Sequence, residues 1–391
     1  MGIIHCCMVL SGNWPATIWS NIFLGLQQGL CWSMLIFTMV DYAGPSNRAL
    51  AVGLNESFGY VGVAVFGKIG PLIWGDSAPR DGDDAKTIPY YAMLGFMVFG
   101  LITCLTVLKN SKPVAQAEQS KRFDQAGVTK FSETVITKFP SGKTKETSVF
   151  RFAFAETSFL NNSLMSCCLV GIAINYCSAF AWGLGKSWAK AGNGTHWDPM
   201  TSTTADDITL TYDLAKGVLQ FIVGFYSDRF GRRPLICAGM VMISVALTVW
   251  GFIGQFAEST ETAKNGFFVA AFMLGSGTAM MYPVVIAAVG ESADPSWRSS
   301  AMGSYRFWRD SGYAIGGLLL GYATDNGGYA TAVFVTAAIM LSITINFFFV
   351  YEEVVEGGMD LTKINEEFEA GKIGEIGEAE EVKGLKGGYV L

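Results

Sequence analysis

Long apolar runs separated by short polar segments dominate the chain. Residues 1–40 contain no Asp, Glu, Lys or Arg, and about 20 apolar residues are enough to cross a bilayer. An apolar stub at 1–11 precedes nine runs that we predict to be membrane-spanning helices: 15–40, 49–75, 88–108, 157–185, 208–227, 234–257, 265–290, 299–324 and 328–350. Because the runs are apolar all round and not along one stripe, they are typical of membrane helices and exclude a soluble helical bundle.

The composition supports an all-α, polytopic membrane protein. Hydrophobic residues make up 51% of the chain and charged residues 15%, whereas soluble domains carry about 25% charged residues. This excludes a cytosolic enzyme, a nucleic-acid-binding protein and a disordered chain. The eight cysteines lie in or beside apolar runs, and none has metal-ligand spacing with His5 or His196. The sequence therefore predicts no metal site, no disulfide scaffold and no cofactor.

The basic residues predict an orientation in the membrane. The polar loop at 109–156 holds nine Lys and Arg against five acidic residues, and such an excess marks the cytoplasmic side. The tail at 352–391 holds eleven acidic residues and four lysines, so the net charge of −6 belongs to this tail. Counting crossings places loop and tail on the same, cytoplasmic side of a membrane that the sequence does not identify.

The sequence contains an internal repeat. Residues 24–67 align without a gap with residues 274–317, with twelve identical positions that include a proline, an arginine and four glycines. Both copies run in the same direction, as in the parallel repeats of some secondary transporters. Between the central loop and the second copy lie three spans, 157–185, 208–227 and 234–257. Only the stub at 1–11 precedes the first copy. We therefore expect an N-terminally incomplete twelve-helix protein that lacks about the first two and a half helices.

The repeat divides the chain into four predicted parts. Residues 1–108 are the remnant of an N-terminal bundle, comprising the end of helix 3 and helices 4–6. Residues 109–156 form the central cytoplasmic loop. Residues 157–351 form a C-terminal bundle of helices 7–12, and residues 352–391 form the acidic cytoplasmic tail.

One loop carries a recognisable motif. The run Gly224-Phe-Tyr-Ser-Asp228-Arg229-Phe-Gly231-Arg232-Arg233 resembles the G-x-x-x-D-R-x-G-R-R signature of the major facilitator superfamily (MFS). The runs at 28–60 and 282–313 resemble a group of microbial members of that family. An ordinary basic loop that obeys the positive-inside rule is the alternative. The resemblance implies two six-helix bundles around a central cavity that opens alternately to either side.

The resemblance implies a secondary active transporter of a small solute, coupled to an ion, with the proton as our preferred candidate. Its partners would be a small-molecule or ion substrate and the lipid bilayer, without nucleic acid, and we expect a monomer. A non-transporting membrane fragment stays open as an alternative. An enzyme embedded in the membrane is disfavoured because no nucleophile and base pair is evident, and no P-loop indicates an ATP-driven pump.

Four ionisable residues are predicted at membrane depth, where each costs at least ~2.5 kcal/mol and needs a partner or a water-lined cavity. Glu56 and Asp310 are candidates for proton coupling, and Arg306 for binding an anionic group. Arg306, Arg309 and Asp310 share one helix face because of their spacing. A purely structural role, in which Arg306 and Asp310 neutralise each other, stays open, as it does for Glu56.

Two further sets of residues complete the predicted site. The family resemblance suggests a conformational latch, with ion pairs from Asp228 to Arg298 and from Glu291 to Arg232. The latch set is Gly224, Asp228, Arg229, Gly231, Arg232, Arg233, Asp41, Arg48, Glu291 and Arg298. The candidates for lining the cavity, for which ordinary helix packing is the alternative, are Gln28, Trp32, Asn175, Tyr176, Trp182 and Tyr282.

Overall fold

A computed structural model describes residues 1–43, 48–74, 88–107, 134–138, 144–293 and 297–352. The helices in this part of the chain are α1 (Gly2–Leu10), α2 (Trp14–Ala43), α3 (Arg48–Trp74), α4 (Ile88–Val107), α5 (Val149–Ala155), α6 (Asn162–Ala179), α7 (Lys186–Ala191), α8 (Ser202–Phe230), α9 (Arg233–Phe256), α10 (Thr260–Ser292) and α11 (Arg298–Val350). Two π-helical turns, Glu156–Leu160 and Phe180–Gly185, flank α6.

Among the described residues, seven helical stretches are long and apolar enough to cross a membrane. The all-α, polytopic prediction is thereby confirmed. The difference from nine predicted runs has two sources. α11 contains both 299–324 and 328–350, and α2 is not among the seven, which take account of described residues alone.

α11 has 53 residues and contains a break at Gly328, whose φ of 77° is non-helical. At 1.5 Å per residue a straight helix of this length would measure about 80 Å, far more than the bilayer's apolar thickness of about 30 Å. The break therefore separates two consecutive membrane crossings. Glycine suits the position because it adopts positive φ without steric cost.

A β-hairpin in the central loop was not predicted. β1 (Thr134–Lys138) pairs antiparallel with β2 (Thr144–Ser148), with Thr134 opposite Ser148. The sequence analysis read 109–156 only as a polar connection. The run Thr-Val-Ile-Thr, followed by a segment with Pro140 and Gly142, is a hairpin signal of the usual kind.

Polar side chains begin several of the membrane helices. Asn161 accepts a hydrogen bond from the amide of Leu164 at the start of α6, at 3.0 Å. Thr201 and Ser259 cap α8 and α10 in the same way, each at 3.2 Å. Such caps satisfy amide groups that have no partner inside the helix. α8 ends at Phe230, and the next residue, Gly231, has a φ of 85° that turns the chain toward α9.

α3 and α8 pack closely against each other and join the two predicted halves. A Cβ atom added to Gly53 would lie 2.6 Å from the carbonyl oxygen of Gln220, and one added to Gly224 would lie 2.6 Å from that of Ala49. Only glycine permits so close an approach, and small residues are a usual means of helix association in membranes. α6 packs along α11 in a corresponding way, while α10 contacts α8 and α9.

Large apolar side chains cover the outer surface of the helices. Phe58, Leu105, Leu318 and Phe349 are each at least 75% exposed. A lipid environment accommodates such a surface because hydrocarbon tails are as apolar as these side chains. The polar groups collect inside instead, where they form the site described next.

Candidate functional site

Six charged side chains meet where α3, α8 and α11 converge. We call them the ion cluster: Glu56, Asp213, Lys216, Arg306, Arg309 and Asp310. All except Asp310 are at most 7% exposed. Three acids face three bases, and this balance is what membrane burial requires, because an unpaired ion at this depth is costly.

Glu56 lies at the centre of the ion cluster. Its Oε1 accepts a hydrogen bond of 2.7 Å from the indole nitrogen of Trp32. Its Oε2 is buried and makes no hydrogen bond to any described residue. Lys216, Arg306 and Arg309 surround the carboxyl group electrostatically. The second carboxyl oxygen therefore remains available for a proton or a polar ligand.

Asp310 binds mainly to Arg309. The Nε of Arg309 donates to Oδ1 of Asp310 at 2.8 Å, and its Nη2 lies 2.7 Å from the same oxygen. Arg306 is more distant, with Nη2 3.7 Å from Oδ2, while Asn175 donates to Oδ1 at 3.1 Å. The ion pair of Arg306 and Asp310 is therefore present, and the same carboxylate also binds Arg309.

Arg306 keeps unused hydrogen-bonding capacity. Its Nε and Nη1 are buried and have no hydrogen-bond partner among the described residues, and the same holds for Nη1 of Arg309. Guanidinium groups are strong, planar donors that match carboxylate and other oxyanion oxygens. The surface that Arg306 presents is therefore suited to an anionic group.

Lys216 is fully buried and held by hydroxyl and aromatic groups. Its Nζ donates to Oγ of Ser178 at 3.1 Å, and that hydroxyl lies 2.8 Å from the hydroxyl of Tyr212. The ammonium lies 3.6 Å from the ring centre of Tyr60 and 4.9 Å from that of Tyr282, within the range of cation–π attraction. Asp213, one turn earlier on α8, accepts a hydrogen bond of 2.9 Å from Trp182.

Sequence reasoning missed Asp213 and Lys216, together with Tyr60, Tyr212 and Ser178. A usable signal existed, because both ions fall inside the predicted span 208–227 and three residues apart, on one helix face. An ionisable residue within a membrane span is by itself a functional-site hypothesis.

Residues related by the repeat converge on the ion cluster. Trp32 and Tyr282 are 250 positions apart and both contact Tyr60, with ring centres 5.8 and 5.4 Å away. The hydroxyls of Tyr60 and Tyr282 are hydrogen-bonded at 3.1 Å. Glu56 and Arg306 are also repeat equivalents. Equivalent residues of two symmetric halves meet only near their common axis, so this convergence is what the predicted pair of halves would produce.

The other cavity candidates are distributed more widely. Asn175 and Trp182 belong to the site through Asp310 and Asp213. Tyr176 instead lies with its hydroxyl 3.3 Å from that of Thr336, in the second part of α11. Gln28 is exposed on α2.

The expected contact between Arg232 and Glu291 is present. Nε of Arg232 lies 3.1 and 3.2 Å from the two carboxylate oxygens, and Nη2 lies 2.5 Å from Oε1. Nη1 donates to Ser227 at 2.6 Å. The loop after α8 is therefore bonded to the end of α10, and Gly231 makes the turn that brings Arg232 into place.

The remaining latch residues are only partly described. Arg233 contacts the carbonyl oxygen of Phe348 and lies 4.8 Å from its ring centre. Arg298 is half-buried at the start of α11. Four predicted side chains lie outside the described part of the chain: Asp41, Arg48, Asp228 and Arg229. The expected pair of Asp228 with Arg298 and the acidic tail after Glu352 also lie outside it.

Two ion pairs occur at the opposite end of α8. Lys68 of α3 contacts Asp207 of α8, and Lys186 of α7 contacts Asp206. The first pair joins the two predicted halves. Sequence analysis did not anticipate it, because nothing in the sequence shows which outer ends of the helices meet.

A family comparison agrees with this architecture. Residues 169–369, just over half of the chain, match the model of the Major Facilitator Superfamily. The chain belongs to the major facilitator superfamily. The resemblance inferred from the Gly224–Arg233 motif is thereby confirmed, and this MFS chain is a multi-pass membrane protein.

Solved transporter structures share the fold of this MFS chain. The human organic anion transporter MFSD10 (TETRAN) matches with a TM-score of 0.62 and 14% identity over 89% of this chain and 75% of that one. The E. coli fucose:proton symporter FucP (N162A) matches with a TM-score of 0.54 and 13% identity, covering 90% and 82%. The proton:xylose symporter XylE, bound to 6-bromo-6-deoxy-D-glucose, matches with 0.54 and 13%, covering 88% and 73%.

A curated relative matches over a shorter stretch. The magnetosome protein MamH of Paramagnetospirillum magneticum (strain ATCC 700264 / AMB-1) is 22% identical over 143 residues, which are 36% of the MFS chain and 33% of MamH. The match therefore spans about a third of that relative's length. At these identities, the relatives establish the fold and leave the substrate to be argued from the site.

Proposed function

We propose that this chain is a secondary active transporter that moves a small solute by alternating access and couples the movement to protons. The observation that carries the proposal is the ion cluster, in which five buried charges and the half-buried Asp310 meet at the junction of α3, α8 and α11. Ionisable residues at membrane depth are rare and mark substrate, ion and proton pathways.

Glu56 is the proposed proton site. Its Oε2 is buried without a hydrogen-bond partner among the described residues, and three cations from two other helices face it. A proton that leaves the carboxyl creates a charge that these cations bind, so proton release and helix movement are energetically linked. FucP and XylE, which share the fold, are both described as proton symporters.

Alternating access requires closures at both ends of the pathway. At one end Arg232 binds Glu291, and at the other Lys68 binds Asp207. We propose that the end with Arg232 faces the cytoplasm together with the central loop, because both segments hold an excess of basic residues, and that the number of crossings places the tail on the same side. Opening and closing would exchange such pairs in the course of the cycle.

The test is uptake by the purified chain in proteoliposomes. A panel of radiolabelled sugars, organic anions, amino acids and cations is offered with and without an inward proton gradient. The gradient is expected to drive accumulation of at least one compound. Glu56→Gln should still exchange that compound but lose gradient-driven accumulation, while the exposed control Glu261→Gln should behave as the unchanged chain.

Two results would contradict the proposal. Absence of uptake of every compound favours the alternative of a membrane protein without transport activity. A Glu56→Gln variant that accumulates solute as well as the unchanged chain shows that the proton binds elsewhere.

A further inference from the structure

We propose that the ion cluster binds a small monovalent oxyanion, with a carboxylate as the typical case, together with a proton on Glu56, so that anion and proton cross the membrane in a one-to-one ratio. The inference rests on the proposed transport function and names its substrate class. It depends on the hydrogen-bond donors and on the balance of charge in the ion cluster.

The donors belong to α11. Nε and Nη1 of Arg306 and Nη1 of Arg309 are buried without partners among the described residues, and the two side chains are 7% and 2% exposed. A buried polar group without a partner costs about 1–3 kcal/mol, and more when it is charged. Oxyanion oxygens satisfy these donors with short, charge-assisted hydrogen bonds. The hydroxyl of Tyr305, also unpartnered, is an additional donor in the electrostatic neighbourhood of Arg309.

Lys216 does not belong to this set of donors. Ser178 accepts its hydrogen bond, and the rings of Tyr60 and Tyr282 cover its ammonium. Asp213, one turn away on α8, compensates its charge. The pair on α8 is therefore neutral, and the charge of the ligand is decided by the other four residues.

Those four residues favour a single negative charge. Arg306 and Arg309 share Asp310, which leaves one positive charge. Ionised Glu56 cancels it, and protonated Glu56 restores it. A monovalent anion then completes the balance, whereas a dianion adds an uncompensated negative charge and a neutral solute leaves a buried positive one. Uncompensated charge at membrane depth is strongly unfavourable.

Glu56 and the anion therefore compete for the same cations. The groups that face Glu56 from the packed helices are Trp32 of α2, Tyr60 of α3, Lys216 of α8, Tyr282 of α10, and Arg306, Arg309 and Tyr313 of α11. An anion bound to the two arginines offsets their attraction for the Glu56 carboxylate, so it favours protonation of Glu56. By reciprocity, protonation raises the affinity for the anion, and binding tightens as the pH falls.

Isothermal titration calorimetry of the purified chain tests this directly. Acetate, benzoate and nitrate serve as monovalent probes, succinate as a dianion and glucose as a neutral solute, each in buffers of different ionisation enthalpy. At least one monovalent probe is expected to bind with uptake of about one proton per anion. Comparison of acetate and benzoate with nitrate shows whether the site binds an organic or an inorganic anion. Succinate and glucose should bind at least about tenfold more weakly.

Variants test anion binding and proton binding separately. Glu56→Gln, which resembles the protonated side chain, should keep the anion affinity and lose the proton uptake. Arg306→Gln should weaken binding about thirtyfold or more, because it removes a buried charged partner. The exposed control Arg151→Gln should change neither quantity. If Arg306→Gln does not fold, Arg306→Lys and the proton count of Glu56→Gln decide the question.

The outcomes distinguish the inference from the proposed function. Anion binding without proton uptake, or unchanged proton uptake in Glu56→Gln, overturns the inference. Gradient-driven uptake of a sugar or cation without binding of any monovalent anion overturns the inference and leaves transport intact. Anion binding with proton uptake, but without accumulation in proteoliposomes, upholds the inference about the site and overturns the transport function.

Discussion

At the scale of single residues, Asp213 and Lys216 show how one helix can hold opposite charges in the membrane. Both are at most 5% exposed, and they are three residues apart on α8. Removal of one partner from a buried pair leaves an uncompensated charge and typically costs about 3–5 kcal/mol, whereas replacement of both is nearly neutral. The pair should therefore behave as a unit in stability measurements.

We accordingly expect Asp213→Asn and Lys216→Met each to lower the free energy of unfolding in detergent by several kcal/mol, and the double variant to recover most of the loss. Glu261 and Lys264 supply a matched control, because they have the same spacing on α10 but side chains that are 71% and 39% exposed. Their variants should change stability by less than about 1 kcal/mol. Additive losses in the Asp213 and Lys216 cycle would exclude the coupling.

Glu156 leads to a prediction about pH. It precedes α6, is 4% exposed, and its Oε2 makes no hydrogen bond to any described residue. Burial raises the pKa of its carboxyl group above the ordinary value. The folded state then binds this proton more tightly than the unfolded state, so Glu156 lowers stability increasingly as the pH rises through the interval between the ordinary and the raised pKa.

Glu156→Gln should therefore be more stable than the unchanged chain near neutral pH, and the difference in melting temperature should shrink as the pH falls from about 7 to about 5. Thermal unfolding across this pH series measures it. Glu261→Gln is the control at an exposed position. If the difference in melting temperature between Glu156→Gln and the unchanged chain is the same at every pH, the burial of Glu156 has no energetic consequence.

Sequence reasoning succeeded and failed at particular residues for identifiable reasons. Glu56 and Arg306 were found because they interrupt strongly apolar runs, and the structure buries both. The bond from Arg309 to Asp310 was not found, because neighbouring residues of a helix do not ordinarily face each other, whereas the i, i+4 spacing favours a pair with Arg306. Contacts between α8 and α11 join residues that are far apart in the chain. Such contacts produce no periodic pattern in the sequence.

At the scale of helices, the contact of α3 with α8 depends on glycines that the repeat alone does not distinguish. Gly53 and Gly303 are equivalent positions of the two copies. A Cβ on Gly53 would lie 2.6 Å from the carbonyl oxygen of Gln220, whereas one on Gly303 meets no described atom within 4 Å. The same residue in the same register thus serves packing in one copy and not in the other.

This contrast provides a matched pair of variants. Gly53→Ala should destabilise the chain by roughly 1–3 kcal/mol, because a backbone carbonyl cannot move away as a side chain can. Gly303→Ala should be neutral or slightly stabilising, since alanine favours helix by up to about 1 kcal/mol. Denaturant titration of both variants in the same detergent provides the measurement. Equal effects would mean that the α3–α8 contact tolerates an added methyl group.

Helix positions were predictable and their exact extent was less so. The runs 88–108 and 234–257 correspond closely to α4 and α9, because continuous apolar character alone defines them. The run 208–227 is part of a longer helix, α8, whose first two turns contain threonines and two aspartates. Polar residues can extend a membrane helix beyond the apolar core, so hydropathy marks the crossing and not the helix end.

At the scale of the whole molecule, the contact between Lys68 and Asp207 joins the two predicted halves at one end, where we propose a closure. The two side chains are 32% and 38% exposed, and a pair this exposed is worth at most about 1 kcal/mol. Such a weak closure suits a transporter, because the alternative conformation then stays within reach.

Lys68→Met should therefore let a membrane-impermeant maleimide reach the buried thiol of Cys177 more often. We expect the labelling rate of this thiol to rise by at most roughly fivefold. Mass-spectrometric peptide mapping separates Cys177 from the exposed cysteines, among them Cys31 and Cys104. Lys264→Met, which removes an exposed lysine from an intrahelical pair, is the control. An unchanged labelling rate would show that this pair does not control access.

The break at Gly328 has a mechanical consequence. One residue separates the last two membrane crossings, so the connection contains no spare length that would let them move independently. We expect rotation of the segment that carries Arg306 and Asp310 to move the following segment, down to Tyr351, along with it. A fluorophore attached after Tyr351 would then move when a ligand binds at the ion cluster. Its signal would report occupancy of a buried site without contact with that site.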